Sequence, residues 1–285
     1  MQYATQCSLR IIGPGAGACD DAPSQDRQYE PACHGVNSIV LLNFQILKSY
    51  NESIMRKRVS LFVTCIVDQA FPRVGLAVAD ILEELGYEVD FPDGQTCCGQ
   101  PAFNSGYWEE AKPVAKHFLK VFEKSDYIIV PSGSCASMVS HHYSELLGHH
   151  ESRVWEFSKF LTEVAGVDDL GARFPHTVTY HDSCHALREL GVKAGPRKLL
   201  ANVRGLELRE MEAAEECCGF GGTFSVKFGD VSGGMAKTKV ESIHRTGAEY
   251  VVSVDSSCLM QLQGTLSRAG SNVRCIHLAE VLASR

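Results

Sequence analysis

From Val59 onward, short apolar runs alternate with stretches whose apolar residues recur every three or four positions. Val59-Ser60-Leu61-Phe62-Val63 is rich in β-formers and predicts a strand. Pro72 opens a helix whose apolar face is Val74, Ala77, Val78, Ile81, Leu82 and Leu85, closed by Gly86. Tyr87 to Phe91 predicts a second strand, Trp108 to Lys124 a second amphipathic helix, and Tyr127 to Pro131 a third strand. The order then recurs. Thr177 to Tyr180 reads as a strand, a helix runs through Arg197 and Leu200 to Gly205, and Leu206 to Met211 is extended. A helix covers Val231 to Arg245, and Glu249 to Val254 is the next strand. The closing pieces match too: Arg153 to Phe157 parallels Arg274 to Leu278.

This alternation predicts an α/β protein made of two duplicated Rossmann-like βαβαβα halves with parallel sheets. The expected divisions are a first repeat over 55–166 and a second over 167–285. Residues 1–54 lack either periodicity and read as a disordered N-terminal tail, with Met55-Arg56-Lys57-Arg58 as a natural beginning. Cys7, Cys19 and Cys33 stand in that tail without ligand-type spacing.

The cysteines sharpen the picture. Cys65, the doublet Cys97-Cys98-Gly99 and Cys135 form one set; Cys184, the doublet Cys217-Cys218-Gly219 and Cys258 form another. Corresponding members lie 119, 120 and 123 residues apart, the offset of an internal duplication. Each cysteine falls just past the carboxyl end of a predicted strand. In a parallel sheet with right-handed crossovers those ends share one edge, where open α/β sheets bind ligands. Residues more than thirty apart are thereby expected to converge on two points, side by side or facing one another.

Four thiols suit an iron–sulfur cluster, and four thiolates also suit structural zinc. Adjacent cysteines diverge and reach separate irons more easily than they reach one tetrahedral ion, so a cluster is the stronger reading and zinc the alternative. Buried cysteines acting only as small hydrophobes account poorly for the matched positions; Cys275 alone in the repeats falls outside them. His181 and His185 flank Cys184 as weak candidates for a chemical role, contacting a cluster or relaying a proton. Gly219-Phe220-Gly221-Gly222 does not meet the dinucleotide fingerprint and reads as backbone passing close to a cluster, its N–H groups toward sulfur. His141-His142 and His149-His150 read as solvated surface.

Charge and composition set limits. A net charge of −7 without a long basic run argues against nucleic acid as a partner. No apolar run approaches the roughly 18–20 residues needed to span a bilayer, and the first residues do not resemble a signal peptide. A cytoplasmic protein is expected, where twelve cysteines point to metal or redox use rather than disulfides.

The repeated pattern resembles the cysteine-rich CCG domain family, which includes the cysteine-rich component of heterodisulfide reductase, the iron–sulfur subunit of glycolate oxidase and lactate-utilisation iron–sulfur proteins; the last are the nearest in pattern. The stretches that carry the resemblance are Ser60 to Cys65, Gly94 to Pro101, His181 to His185 and Cys217 to Phe224. It implies a 4Fe-4S cluster in each repeat and electron transfer during oxidation of a 2-hydroxy acid, most nearly L-lactate. It further implies partner subunits that carry the hydride chemistry, since this chain shows no flavin or NAD fingerprint. A glycolate-oxidase-type subunit, a heterodisulfide-reductase-like thiol/disulfide protein and a zinc-stabilised scaffold are the alternatives. One departure stands out. Where heterodisulfide reductase ends each repeat with CxxC, the first position here is Ser132 or Asp255. These two are possible second-layer groups beside the clusters, and the departure weighs against non-cubane clusters and disulfide cleavage.

Overall fold

The computed structural model describes residues 57–285; the expected tail over 1–54 lies outside them. Two four-stranded sheets form, both wholly parallel. The first has the order β2-β1-β3-β4, with β1 Arg58–Leu61, β2 Glu88–Asp90, β3 Ile128–Val130 and β4 Val154–Glu156. The second has the order β6-β5-β7-β8, with β5 Thr177–Tyr180, β6 Glu207–Leu208, β7 Tyr250–Ser253 and β8 Arg274–His277. The duplicated α/β halves are therefore present, strand for strand.

The helices sit where periodicity places them. Pro72–Glu84 buries Val74, Ala77, Val78, Ile81 and Leu82 against the first sheet. Trp108–Val121 and Gly229–Thr246 follow the two doublets. Past each third strand the chain turns straight into a helix, Gly133–Ser137 in the first half and Ser256–Arg268 in the second. One apolar cluster joins the halves: Val59, Leu61 and Ile81 of the first share it with Val178, Tyr180 and Leu282 of the second. Leu278–Leu282 packs on Pro72–Glu84. Among the described residues, no helix is long and apolar enough to cross a membrane.

The strand order creates the site. Between β1 and β3, and again between β5 and β7, successive connections leave in opposite directions and open a crevice at the strand carboxyl ends. The loops after β1 and β3 supply Cys65 and Cys135, and those after β5 and β7 supply Cys184 and Cys258.

Glu156 closes β4 in the interior and accepts from the N–H groups of Ser158 and Lys159, both at 3.0 Å. Burial, aided by the nearby Asp255 carboxylate, pushes its pKa from 4.5 to about 7. The folded state thus holds this proton more tightly than the unfolded chain. The resulting stabilisation is present below pH 4.5 and is lost as pH rises through 7. Between pH 5 and pH 8, denaturant unfolding should show the parent losing roughly 2–3 kcal/mol relative to Glu156→Gln. Parallel pH profiles for the two proteins would refute this.

Candidate metal centre

All eight matched cysteines line one cavity of about 180 Å³ beyond the carboxyl ends of the strands. Cys65 and Cys184 each begin a short helix, Cys65–Ala70 and Cys184–Arg188, directly after the first strand of their repeat. The doublets lie in the loops after β2 and β6, and each is followed by a glycine in left-handed backbone, with φ of 87° at both Gly99 and Gly219. That conformation turns the glycine N–H back onto the first thiol. Gly99 N–H donates to Cys97 Sγ and Gly219 N–H to Cys217 Sγ, both at 3.4 Å. Gln100, Pro101 and Asn104 lie in the short helix Gln100–Asn104 and line the cavity.

The thiols contact one another within each set. Cys97 accepts from Cys65 and Cys98, which lowers its pKa; Cys217 is lowered in the same way by Cys184 and Cys218. Their neighbours move the other way. Contact with Cys97, then burial, raises Cys65; contact with Cys217, then burial, raises Cys184. Cys98, touching Cys135 and Cys97, and Cys218, touching Cys217 and Cys258, are raised well above the thiol range. Four thiols held this close cannot all ionise unless cations enter with them, because each thiolate repels the next. The donor set therefore fits a soft-metal group bound by thiolates. Cys275 lies elsewhere, half-buried on β8, where burial lifts its pKa to about 12.

Ser132 and Asp255 occupy equivalent N-cap positions. Ser132 Oγ accepts from Cys135 N–H at 3.4 Å and Asp255 Oδ1 from Ser257 N–H at 3.1 Å. They also meet each other: Ser132 Oγ donates to Asp255 Oδ2 at 3.2 Å, and Ser134 N–H donates to the same oxygen at 2.8 Å. Ser132 lines the cavity, whereas the wholly buried Asp255 carboxylate is engaged at the joint between the repeats.

His185 lines the cavity with Nδ1 3.6 Å from Cys184 Sγ. His181 lies deeper, wholly buried, in a cluster with Cys218 and Cys258 whose ligand atoms all lie within 4.8 Å of one another. Of the histidines expected at the surface, His142 is instead half-buried, pairing with Glu145 at 2.7 Å and Glu189 at 3.3 Å. Two buried groups near the doublets escaped sequence reasoning. Tyr143 donates its hydroxyl to the Cys98 carbonyl at 3.0 Å, and Lys239 donates its ammonium to the Ala213 and Ala214 carbonyls. Laying one repeat on the other would have exposed Lys239, which stands where the first repeat has Phe118.

Fold and site together define a duplicated, cysteine-rich α/β protein. The chain belongs to the CCG cysteine-rich domain family, whose model matches it twice, over residues 59–140 and 178–263. It is 46% identical over 237 residues to Lactate utilization protein A of Geobacillus sp. (strain WCH70), covering 80% of this chain and 100% of that relative. Lactate utilization protein A 2 of Bacillus cereus (strain 03BB102) is also 46% identical, over 236 residues, or 79% of this chain and 98% of the relative. Among solved structures, a hypothetical protein from Helicobacter pylori aligns with a TM-score of 0.52 at 9% identity, covering 79% of this chain and 48% of that one. That likeness concerns the fold alone.

Proposed function

We propose that this chain is an iron–sulfur subunit that carries electrons in the oxidation of a 2-hydroxy acid, L-lactate, within a multi-subunit cytoplasmic system. The observation that carries the reading is the convergence of two complete sets of four thiols on one cavity. The lactate assignment is supported by relatives named for lactate utilisation that match along nearly their whole length.

Cys65, Cys97, Cys98 and Cys135 would hold one cluster, and Cys184, Cys217, Cys218 and Cys258 a second. Such clusters supply one-electron transfer, with a potential set by charge, hydrogen bonds to sulfur and exposure. The protein's part is to fix and shield them. Gly99 and Gly219 direct N–H groups at a ligand sulfur, and Ser132 holds Cys135 by its backbone N–H. Hydride chemistry would fall to a partner subunit holding an organic redox cofactor, from which this chain would accept electrons.

Anaerobically purified protein is expected to be brown and to contain iron and acid-labile sulfide in roughly equal amounts. Colourless protein carrying zinc would instead establish the scaffold reading. Deleting the gene in its source organism should abolish growth on L-lactate and spare growth on pyruvate. Loss of growth on glycolate alone would move the substrate assignment to that acid.

A further inference from the structure

The two repeats align residue by residue around their cysteines, so a position where they differ in chemistry points to a difference between the sites. Phe62 stands three residues before Cys65, and His181 three before Cys184. On the helices after the doublets, Gly99 packs against Ala111 and Val114, and Gly219 against Ser232 and Met235. That register places Phe118 and Lys239 in equivalent positions, each one turn beyond. In the first repeat Phe62 and Phe118 meet edge to face with ring centroids 4.9 Å apart. In the second, the same buried place holds an imidazole and an ammonium group.

His181 is wholly buried, yet neither of its ring nitrogens has a hydrogen-bond partner among the described residues. The nearby Ala214 carbonyl is already taken by Asp182 N–H at 3.1 Å and by Lys239 Nζ at 3.2 Å. Leaving a buried polar group unpaired carries a desolvation penalty that nothing in the fold offsets. A phenylalanine would fill the space without that cost, as Phe62 does in the first repeat. The imidazole shares its cluster with the Cys218 and Cys258 thiols, all ligand atoms lying within 4.8 Å. Imidazole nitrogen is a ready ligand for iron or zinc, and here it stands beside two thiols of the second set.

We propose that His181 is a nitrogen ligand at the second cysteine set, so that the duplicated protein pairs one all-thiolate centre with one mixed imidazole–thiolate centre. The proposal rests on the metal-binding reading above and adds an asymmetry that the matched cysteines conceal. The imidazole joins the four thiolates as a neutral donor and adds no negative charge to the centre. The buried Lys239 ammonium beside it raises the potential, because a cation favours the more negative, reduced state. The second centre is therefore the electron-rich end of the pair at equilibrium.

The test uses the full chain loaded with iron and sulfide, uniformly labelled with nitrogen-15 histidine and reduced. Pulsed paramagnetic resonance should show imidazole nitrogen coupled to one of two signals. That coupling should vanish in His181→Phe, which places the first repeat's residue at that position, and persist in His185→Phe. In a redox titration one of the two potentials should shift in His181→Phe while the other stays in place. Coupling that survives in His181→Phe, or its absence from labelled parent protein, overturns the assignment; the parent measurement needs no variant to fold. Parent protein that binds no metal overturns the metal-centre reading itself, and iron-loaded protein without imidazole coupling overturns His181 alone.

Discussion

Cys217→Ser is expected to remove about half of the bound iron and one of two paramagnetic signals, and Cys97→Ser to remove the other half and the other signal. The halving follows from one cluster per repeat. The basis is that thiol contacts run within a repeat and not between repeats. Cys97 touches Cys65 and Cys98, and Cys98 touches Cys135; Cys217 touches Cys184 and Cys218, and Cys218 touches Cys258. The two doublet-leading thiols are the right targets, since each is the lowered one of its set and accepts a glycine N–H. Serine keeps the shape but gives a far poorer anionic ligand. Because both sets line the same cavity, a single group spanning the repeats makes a different forecast. Either substitution would then remove all the iron. Iron analysis with spectroscopy on both variants separates the cases, and unchanged iron in either would remove that cysteine from the ligand set.

Much of this was legible in the chain because a parallel α/β fold writes itself locally. Apolar runs became strands, and each matched cysteine fell at a strand end because the loops there are the ones a crevice can use. The helices after the third strands were less visible. Gly133–Ser137 is small and polar and passes into a π-helical turn at Met138–His142, so no clear 3.6-residue stripe marks it. Ser256–Arg268 does carry Leu259, Leu262 and Leu266 on one buried face, a short stripe that begins only past Cys258. The extended stretch expected over Leu206 to Met211 shortens to Glu207–Leu208, an edge strand whose charged neighbours face solvent. What left no local trace is the joint between repeats. Ser132 bonded to Asp255 is a contact across 123 residues between two caps, and neither cap's sequence announces the other. Lys239 was hidden for another reason: it is unremarkable alone and informative only beside Phe118, whereas His181 stood out beside Cys184 and only its contrast with Phe62 went unseen.

The joint is also where one added methyl group should force the repeats apart. Gly133→Ala is expected to destabilise the protein by about 2–3 kcal/mol, at the upper end of overpacking costs. It should also perturb both centres at once. A Cβ built at Gly133 would lie 2.5 Å from the Cβ of Ala186 and 3.3 Å from its Cα, too close for any side chain to yield by rotating. The backbone of one repeat must then move away from the other. Gly133 N–H donates to the Val254 carbonyl at 3.3 Å, so that movement strains the cross-repeat bond. Cys135 lies two residues on from Gly133, and Cys184 two residues before Ala186, so each set has a ligand tied to the displaced segment. Gly234→Ala is the control: this glycine sits in the helix Gly229–Thr246 with nothing within 4 Å of a new Cβ. There alanine should stabilise by about 0.5–1 kcal/mol through helix propensity. Denaturant unfolding of the two variants, alongside iron content, makes the comparison. If the clash is the cause, adding Ala186→Gly to Gly133→Ala should recover part of the loss, a coupling expected only of residues in contact. A Gly133→Ala protein as stable as its parent, with both signals intact, would mean that the repeats do not meet at this glycine.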